Sequence, residues 1–236
     1  MFFKRKKFFH NLTKLYVYSY GEEKLKLHDI LRTTIKDFEK EPSYYSVNYK
    51  KEKSYKSIDE LINKINVDDF ETLLMYADDD SMLLTISKTF MHLKMSTQLY
   101  EILLVKPYDR DFQSECSLIS KYMNLCRIAY GYGRHLDTDH DPITETKKKQ
   151  SWFRKSYIVP EDSLWLIHPR ELETGIAKGI YPFNFWTKEA YSKLSSLYSE
   201  LDSRDDESDN IVIYSEIEQQ KILQANTEHK DHIRFF

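Results

Sequence analysis

The chain has 236 residues, 41% hydrophobic and 31% charged, a composition and length that can bury a real core in one large domain or two small ones. Its net charge of −3 argues against a nucleic-acid binder. With 5 Gly beside 18 Tyr, 13 Phe and 3 Trp, no glycine-rich phosphate loop or nucleophile elbow can be drawn.

Taken in chain order, Leu12 to Tyr20 reads as a strand, and Leu25, Leu27, Ile30, Leu31, Ile35 and Phe38 recur at helical spacing up to Glu41-Pro42. Tyr44 to Tyr49 is a second strand. Ser57 and Glu60 form a capping box that opens a helix through Ile65. Phe70 to Tyr76 and Met82 to Phe90 flank Asp78-Asp79-Asp80, a turn composition, and so predict a hairpin. Leu99 to Val105 follows as a strand, and Asp109 to Ile128 as the longest helix. Burial is expected at Leu73, Met75, Leu83, Ile86, Ile102 and Leu104.

Residues 129–151 contain Tyr130-Gly131-Tyr132-Gly133 and Lys147-Lys148-Lys149, and read as a long polar loop or linker. Beyond it, Leu164 to Ile167 predicts a strand, Pro169 to Thr174 a short helix and Ile180 to Phe185 extended chain. Thr187 caps a helix to about Leu201, Asp202 to Asp209 is a surface loop, Ile211 to Tyr214 a strand, and Ser215 opens a last helix. The expected fold class is α+β, a largely antiparallel sheet with helices on one face. Two α+β subdomains, 1–128 and 152–236, are expected around the 129–151 segment.

Charge is unevenly placed. Residues 1–56 hold 14 Lys/Arg and 7 Asp/Glu, a net of +7, while residues 200–236 hold 4 against 10, a net of −6. Cys116 and Cys126 fall on one predicted helix, about 15 Å apart in rise, so free thiols are expected. The basic cluster at Lys4 to Lys7 lacks the apolar run of a signal peptide, and no run approaches a membrane span. The expected location is cytoplasmic.

Two segments carry ligand-type residues. His135-Leu136-Asp137-Thr138-Asp139-His140 resembles in spacing the His-x-His-x-Asp-His zinc motif of metallo-β-lactamase-like hydrolases, with Asp137 where the second His belongs. The resemblance covers six residues and implies a metal held by His135, Asp139, His140 and Asp141 that activates water. Asp139 or Asp141 followed by Glu145-Thr146-Lys147 is similar to the core of restriction-endonuclease-like nucleases, although Pro142 interrupts it. Both sets also suit a polar, solvent-facing loop.

No Ser/His/Asp or Cys/His triad can be assembled, so no catalytic residue and no cofactor are assigned. Tyrosine favours interfaces through its large contact area and polar tip, though a lysine-, asparagine- and isoleucine-rich chain also gains tyrosine from coding bias. The leading expectation is a non-catalytic protein that binds another protein, a neutraliser of a toxin or effector of the immunity-protein or phage-inhibitor kind. Candidate binding residues are Tyr130, Tyr132, His135, Trp152, Tyr181 and Trp186. The alternatives are a metal-dependent nuclease or phosphoesterase using residues 135–147, and a structural or assembly subunit.

Overall fold

Strands with apolar residues on both faces occupy the middle of the molecule, because a strand's side chains alternate between faces and these strands are covered on each. The computed structural model describes residues 10–18, 25–38, 42–66, 69–77, 82–89, 98–109, 111–136, 147–150, 155–158, 181–188, 191–192, 202–205 and 210–214. In chain order these hold β1 (His10–Tyr18), α1 (Leu27–Asp37), β2 (Tyr44–Val47), β3 (Lys53–Ser54), α2 (Ile58–Lys64), β4 (Thr72–Tyr76), β5 (Leu83–Lys88), β6 (Leu99–Pro107) and α3 (Gln113–Tyr122). There follow β7 (Arg127–Leu136), β8 (Lys147–Gln150), β9 (Lys155–Ile158), β10 (Phe183–Thr187), β11 (Asp202–Asp205) and β12 (Asn210–Tyr214).

Ten of the strands form one sheet in the order β11-β12-β10-β7-β1-β6-β5-β4-β2-β3, and every neighbouring pair is antiparallel. A separate hairpin joins β8 to β9. The fold is α+β with a largely antiparallel sheet. The three helices pack on one face, where Ile30, Leu31, Leu61, Leu118 and Ile119 meet Leu15, Val17, Leu73, Met75, Ile86, Ile102 and Leu104. Leu83 is also buried, but it belongs to a second cluster on the opposite face with Leu12, Leu103, Val105, Tyr130, Tyr132 and Trp186.

Local chemistry explains the helix ends. Ser57 Oγ accepts the Glu60 N–H at 3.2 Å, and the Glu60 carboxylate accepts the Lys56 N–H at 2.8 Å, a capping box displaced by one residue. The N-terminus of α3 is capped from a distance: Asp109 Oδ2 accepts the N–H groups of Gln113 at 2.8 Å and Ser114 at 3.4 Å. The chain then passes through Phe112 in the left-handed region, φ 50°.

Helix α3 is shorter than its apolar pattern predicts. It stops at Tyr122, a turn follows through Leu125, and Arg127 opens β7. Cys116 and Cys126 therefore do not share a helix, and neither is in a disulfide. Burial pushes the Cys126 thiol up to about 12, so it is an unreactive core residue.

The 129–151 segment differs from a linker at both described ends. Residues 129–136 continue β7, an interior strand between β1 and β10, and residues 147–150 form β8. The physical reason is in Gly131 and Gly133, which face the helices. A Cβ on Gly131 would lie 2.5 Å from Leu15 Cδ2, and one on Gly133 would lie 2.7 Å from Phe112 Cε1 and 3.1 Å from Phe183 Cδ1. Glycine is placed there for close approach, while the alternating Tyr130 and Tyr132 fill the other face.

The second half departs from its expected elements too. Residues 202–205 form β11 instead of loop, whereas Thr187 ends β10 and the described residues after it, Lys188, Tyr191 and Ser192, are helical as expected. The elements expected at 164–174 and after Ser215, and the Asp78-Asp79-Asp80 turn, lie outside the described residues. None of the described helices is long and apolar enough to cross a membrane.

Candidate functional site

The antiparallel pairing of β1 with β7 sets Asn11 opposite His135, at the sheet end where β6 runs into α3. Both residues lie on the helix-facing side. Asn11 is buried, as is Glu115 on the inner face of α3. The Asn11 amide nitrogen donates to Asp109 O at 2.7 Å and to Glu115 Oε1 at 3.2 Å. Asp109 O and the Glu115 carboxylate accept, so the nitrogen of the amide must face them and its Oδ1 must face His135.

His135 Nδ1 lies 2.9 Å from that Oδ1 and therefore carries the proton. In the neutral ring Nε2 is then left as an acceptor, and it has no hydrogen-bond partner among the described residues. Burial holds the imidazole below its ordinary 6.5, against the opposing charge of Asp109, so the neutral form prevails at pH 7. The ring stacks on Phe112 at 4.9 Å and meets the edge of Tyr108, also at 4.9 Å. Tyr108 is 48% exposed. The outcome is a half-buried histidine of one tautomer beside a half-exposed tyrosine.

Glu115 supports this arrangement through hydrogen bonds, with no ion pair among the described residues. Ser114 Oγ donates to its Oε2 at 2.9 Å. Burial raises its pKa above the ordinary 4.5, while its hydrogen bonds to its own backbone, Ser114 and Asn11 and the charge of Lys106 act the other way. Next to it, Lys106 and Lys121 bond the two oxygens of Asp37 at 2.8 and 3.0 Å. Burial raises the Asp37 pKa, but the two lysines outweigh it and the net shift is downward. This ion cluster ties the end of α1 to β6 and α3.

The other binding candidates fall elsewhere. Tyr130, Tyr132, Tyr181 and Trp186 are interior residues rather than surface contacts, all at most 3% exposed. Tyr132 stacks on Tyr181 at 4.2 Å, and Tyr16 on Tyr130 at 6.0 Å. Alternation along β7 and β10 places Tyr130, Tyr132 and Trp186 in the layer opposite the helices. Asn184 is buried in that layer and closes a reciprocal pair with Tyr181, accepting its N–H at 3.0 Å and donating to its carbonyl at 2.6 Å. Trp152 lies outside the described residues.

Of the metal candidates, only His135 is described; Asp139, His140 and Asp141 lie outside the described residues, as does Glu145. No group of three or more His, Cys, Asp or Glu among the described residues is arranged to hold a metal ion. The neighbours that position His135, namely Asn11, Tyr108 and Glu115, have a sequence signal of their own. Asn11 occupies an inward position of an apolar strand, and Glu115 shares a helix face with Leu118, Ile119 and Tyr122. No protein-family model, curated protein or solved structure matches the chain.

Proposed function

We propose that this chain is a non-catalytic, cytoplasmic protein that binds another protein, of the kind that neutralises a toxin or effector, as immunity proteins and phage-encoded inhibitors do. The observation that carries the reading is the Tyr108–His135 patch. A half-exposed tyrosine rests on a histidine whose tautomer and orientation are held by buried Asn11 and Glu115. Aromatic anchors held rigidly lose little freedom on binding, and tyrosine is enriched among the residues that dominate interface energies. Net charge of −3 weighs against nucleic acid as the partner.

The test is binding of the purified chain to toxins and effectors encoded in the genome that carries it. One of them is expected to bind, and Tyr108→Ala to weaken that binding by about thirtyfold, the size of an interface residue contributing about 2 kcal/mol. His135→Ala is expected to act in the same direction. Binding that both folded variants retain in full, or no binding to any of these proteins, overturns the reading.

One observation favours a second reading. A neutral histidine with Nδ1–H engaged and Nε2 without a hydrogen-bond partner among the described residues has the form of a general base or metal ligand. That suits the metal-dependent nuclease or phosphoesterase alternative, with His135 as its described member.

A further inference from the structure

The connection from β2 to β3 begins with a turn that only one of its two central residues suits. Lys50 N–H donates to Val47 O at 3.1 Å, and Asn48 and Tyr49 between them both have φ 54°. Two positive φ values in succession are the form of a type I′ turn, in which Asn-Gly is the preferred pair. The Asn48 side chain fixes its own place, accepting the N–H groups of Glu71 at 2.7 Å and Thr72 at 3.1 Å and donating to Asp69 O at 3.0 Å. Tyr49 stands where glycine is favoured, and a bulky side chain there is strained. Its ring gives the fold nothing in return. It is 72% exposed and has no hydrogen bond or ring contact among the described residues.

Lysines follow at once. Lys50, Lys51 and Lys53 are all exposed, with no ion pair among the described residues. Residues 50–56 carry Lys50, Lys51, Lys53 and Lys56 against Glu52 alone, a net of +3. Across the turn, Asp69 and Glu71 hold Asn48 through their backbone groups, and the Asp69 carboxylate accepts from Asn66 at 2.5 Å. Among the described residues β3 is the last strand of the sheet. Lysines guard such an edge against a like strand, but they do not repel an acidic one. A strained residue that does not serve the fold points to a contact outside it.

We propose that Tyr49, Lys50, Lys51 and Lys53 form a second docking surface, which takes an extended acidic segment of a partner protein along β3. The lysines meet its carboxylates and the Tyr49 ring packs against its chain. Tyrosine is a frequent anchor of protein interfaces. Single-stranded nucleic acid suits the surface less, because one ring offers no platform for successive bases and Glu52 interrupts the lysines. This surface does not rest on the Tyr108–His135 patch. The registers from β2 through β6 put Tyr49 and Tyr108 at opposite ends of the strands.

Fluorescence polarisation of a labelled peptide of alternating glutamate and threonine reads the docking, at about 0.1 M and about 1 M salt. The wild type is expected to bind the peptide at the lower salt and to release it at the higher. Tyr49→Gly is expected to weaken binding about tenfold and to raise the urea midpoint, since glycine takes this turn without strain. Lys50→Glu with Lys51→Glu and Lys53→Glu, confirmed folded by circular dichroism, is expected to abolish binding. Lys26→Glu with Lys36→Glu, at exposed positions toward the two ends of α1, is expected to keep it. The proposal is overturned if the wild type does not bind at the lower salt or stays bound at the higher. Unchanged binding by Tyr49→Gly or by the triple variant, an equal loss in the α1 variant, or a lowered Tyr49→Gly midpoint overturns it too. Tighter binding of oligothymidylate than of the peptide also overturns it and makes the surface one for nucleic acid.

Discussion

Replacing Phe183 with alanine is expected to destabilise the protein by about 3–5 kcal/mol, the usual cost of deleting a buried phenyl ring. Phe183 has no exposed surface and stacks on Phe112 at 5.2 Å. It also fills the space over Gly133 that a side chain would otherwise need. Its strand, β10, pairs with β7 on one side and β12 on the other, so the ring secures the strands of the second half to the helix layer. Gly133→Val tests the same contact from the other side, with an expected cost of about 1–3 kcal/mol from forcing Phe112 and Phe183 apart. Urea unfolding measures both. A loss below about 1 kcal/mol for Phe183→Ala would show that β10 is not packed as described.

The second large effect is expected at Asn11. Asn11→Leu removes the amide that serves Asp109 O, Glu115 and His135 together. Leaving the buried Glu115 carboxyl short of a donor alone costs about 1–3 kcal/mol. Glu115→Gln is expected to act in the opposite direction, because glutamine can accept from Asn11 and keeps the volume. The folded carboxyl holds its proton to higher pH than the unfolded one, whose ordinary value is 4.5. The stabilisation this gives is fully present below 4.5 and is lost as pH rises through the folded-state value. The variant is therefore expected to match the wild type near pH 4 and to exceed it near pH 7. Denaturant midpoints at the two pH values decide; a variant less stable at neutral pH would mean that the ionised carboxylate is itself a favourable partner there.

These residues also mark what the sequence made legible. The strands β1, β4, β5 and β6 and the helices α1 and α2 were readable because each has its own period of apolar residues and, at Ser57, its own cap. Strand β7 was not. Its Tyr-Gly-Tyr-Gly run has the composition of a turn, and its logic lies in the side chains of Leu15, Phe112 and Phe183 that approach from elsewhere in the chain. Helix α3 was overdrawn because Cys126 continues its apolar face in register, four residues after Tyr122, although the helix has already ended there and β7 begins at Arg127. His135 was singled out among acidic and histidine neighbours in sequence, whereas its bonded neighbour is Asn11, 124 residues away. Strand pairing makes that contact, and only the polar intrusions of Asn11 and Glu115 into apolar faces hint at it beforehand.

The oriented His135 is proposed to serve contact with a partner and not chemistry. A hydrolysis assay tests it most directly, with DNA, RNA and a small phosphodiester as substrates and magnesium, manganese or zinc supplied in turn. The wild type is expected to show no turnover above background with any of the three metals, and His135→Ala to be indistinguishable from it. Hydrolysis by the wild type that disappears in a folded His135→Ala variant would contradict the claim and make His135 a catalytic residue.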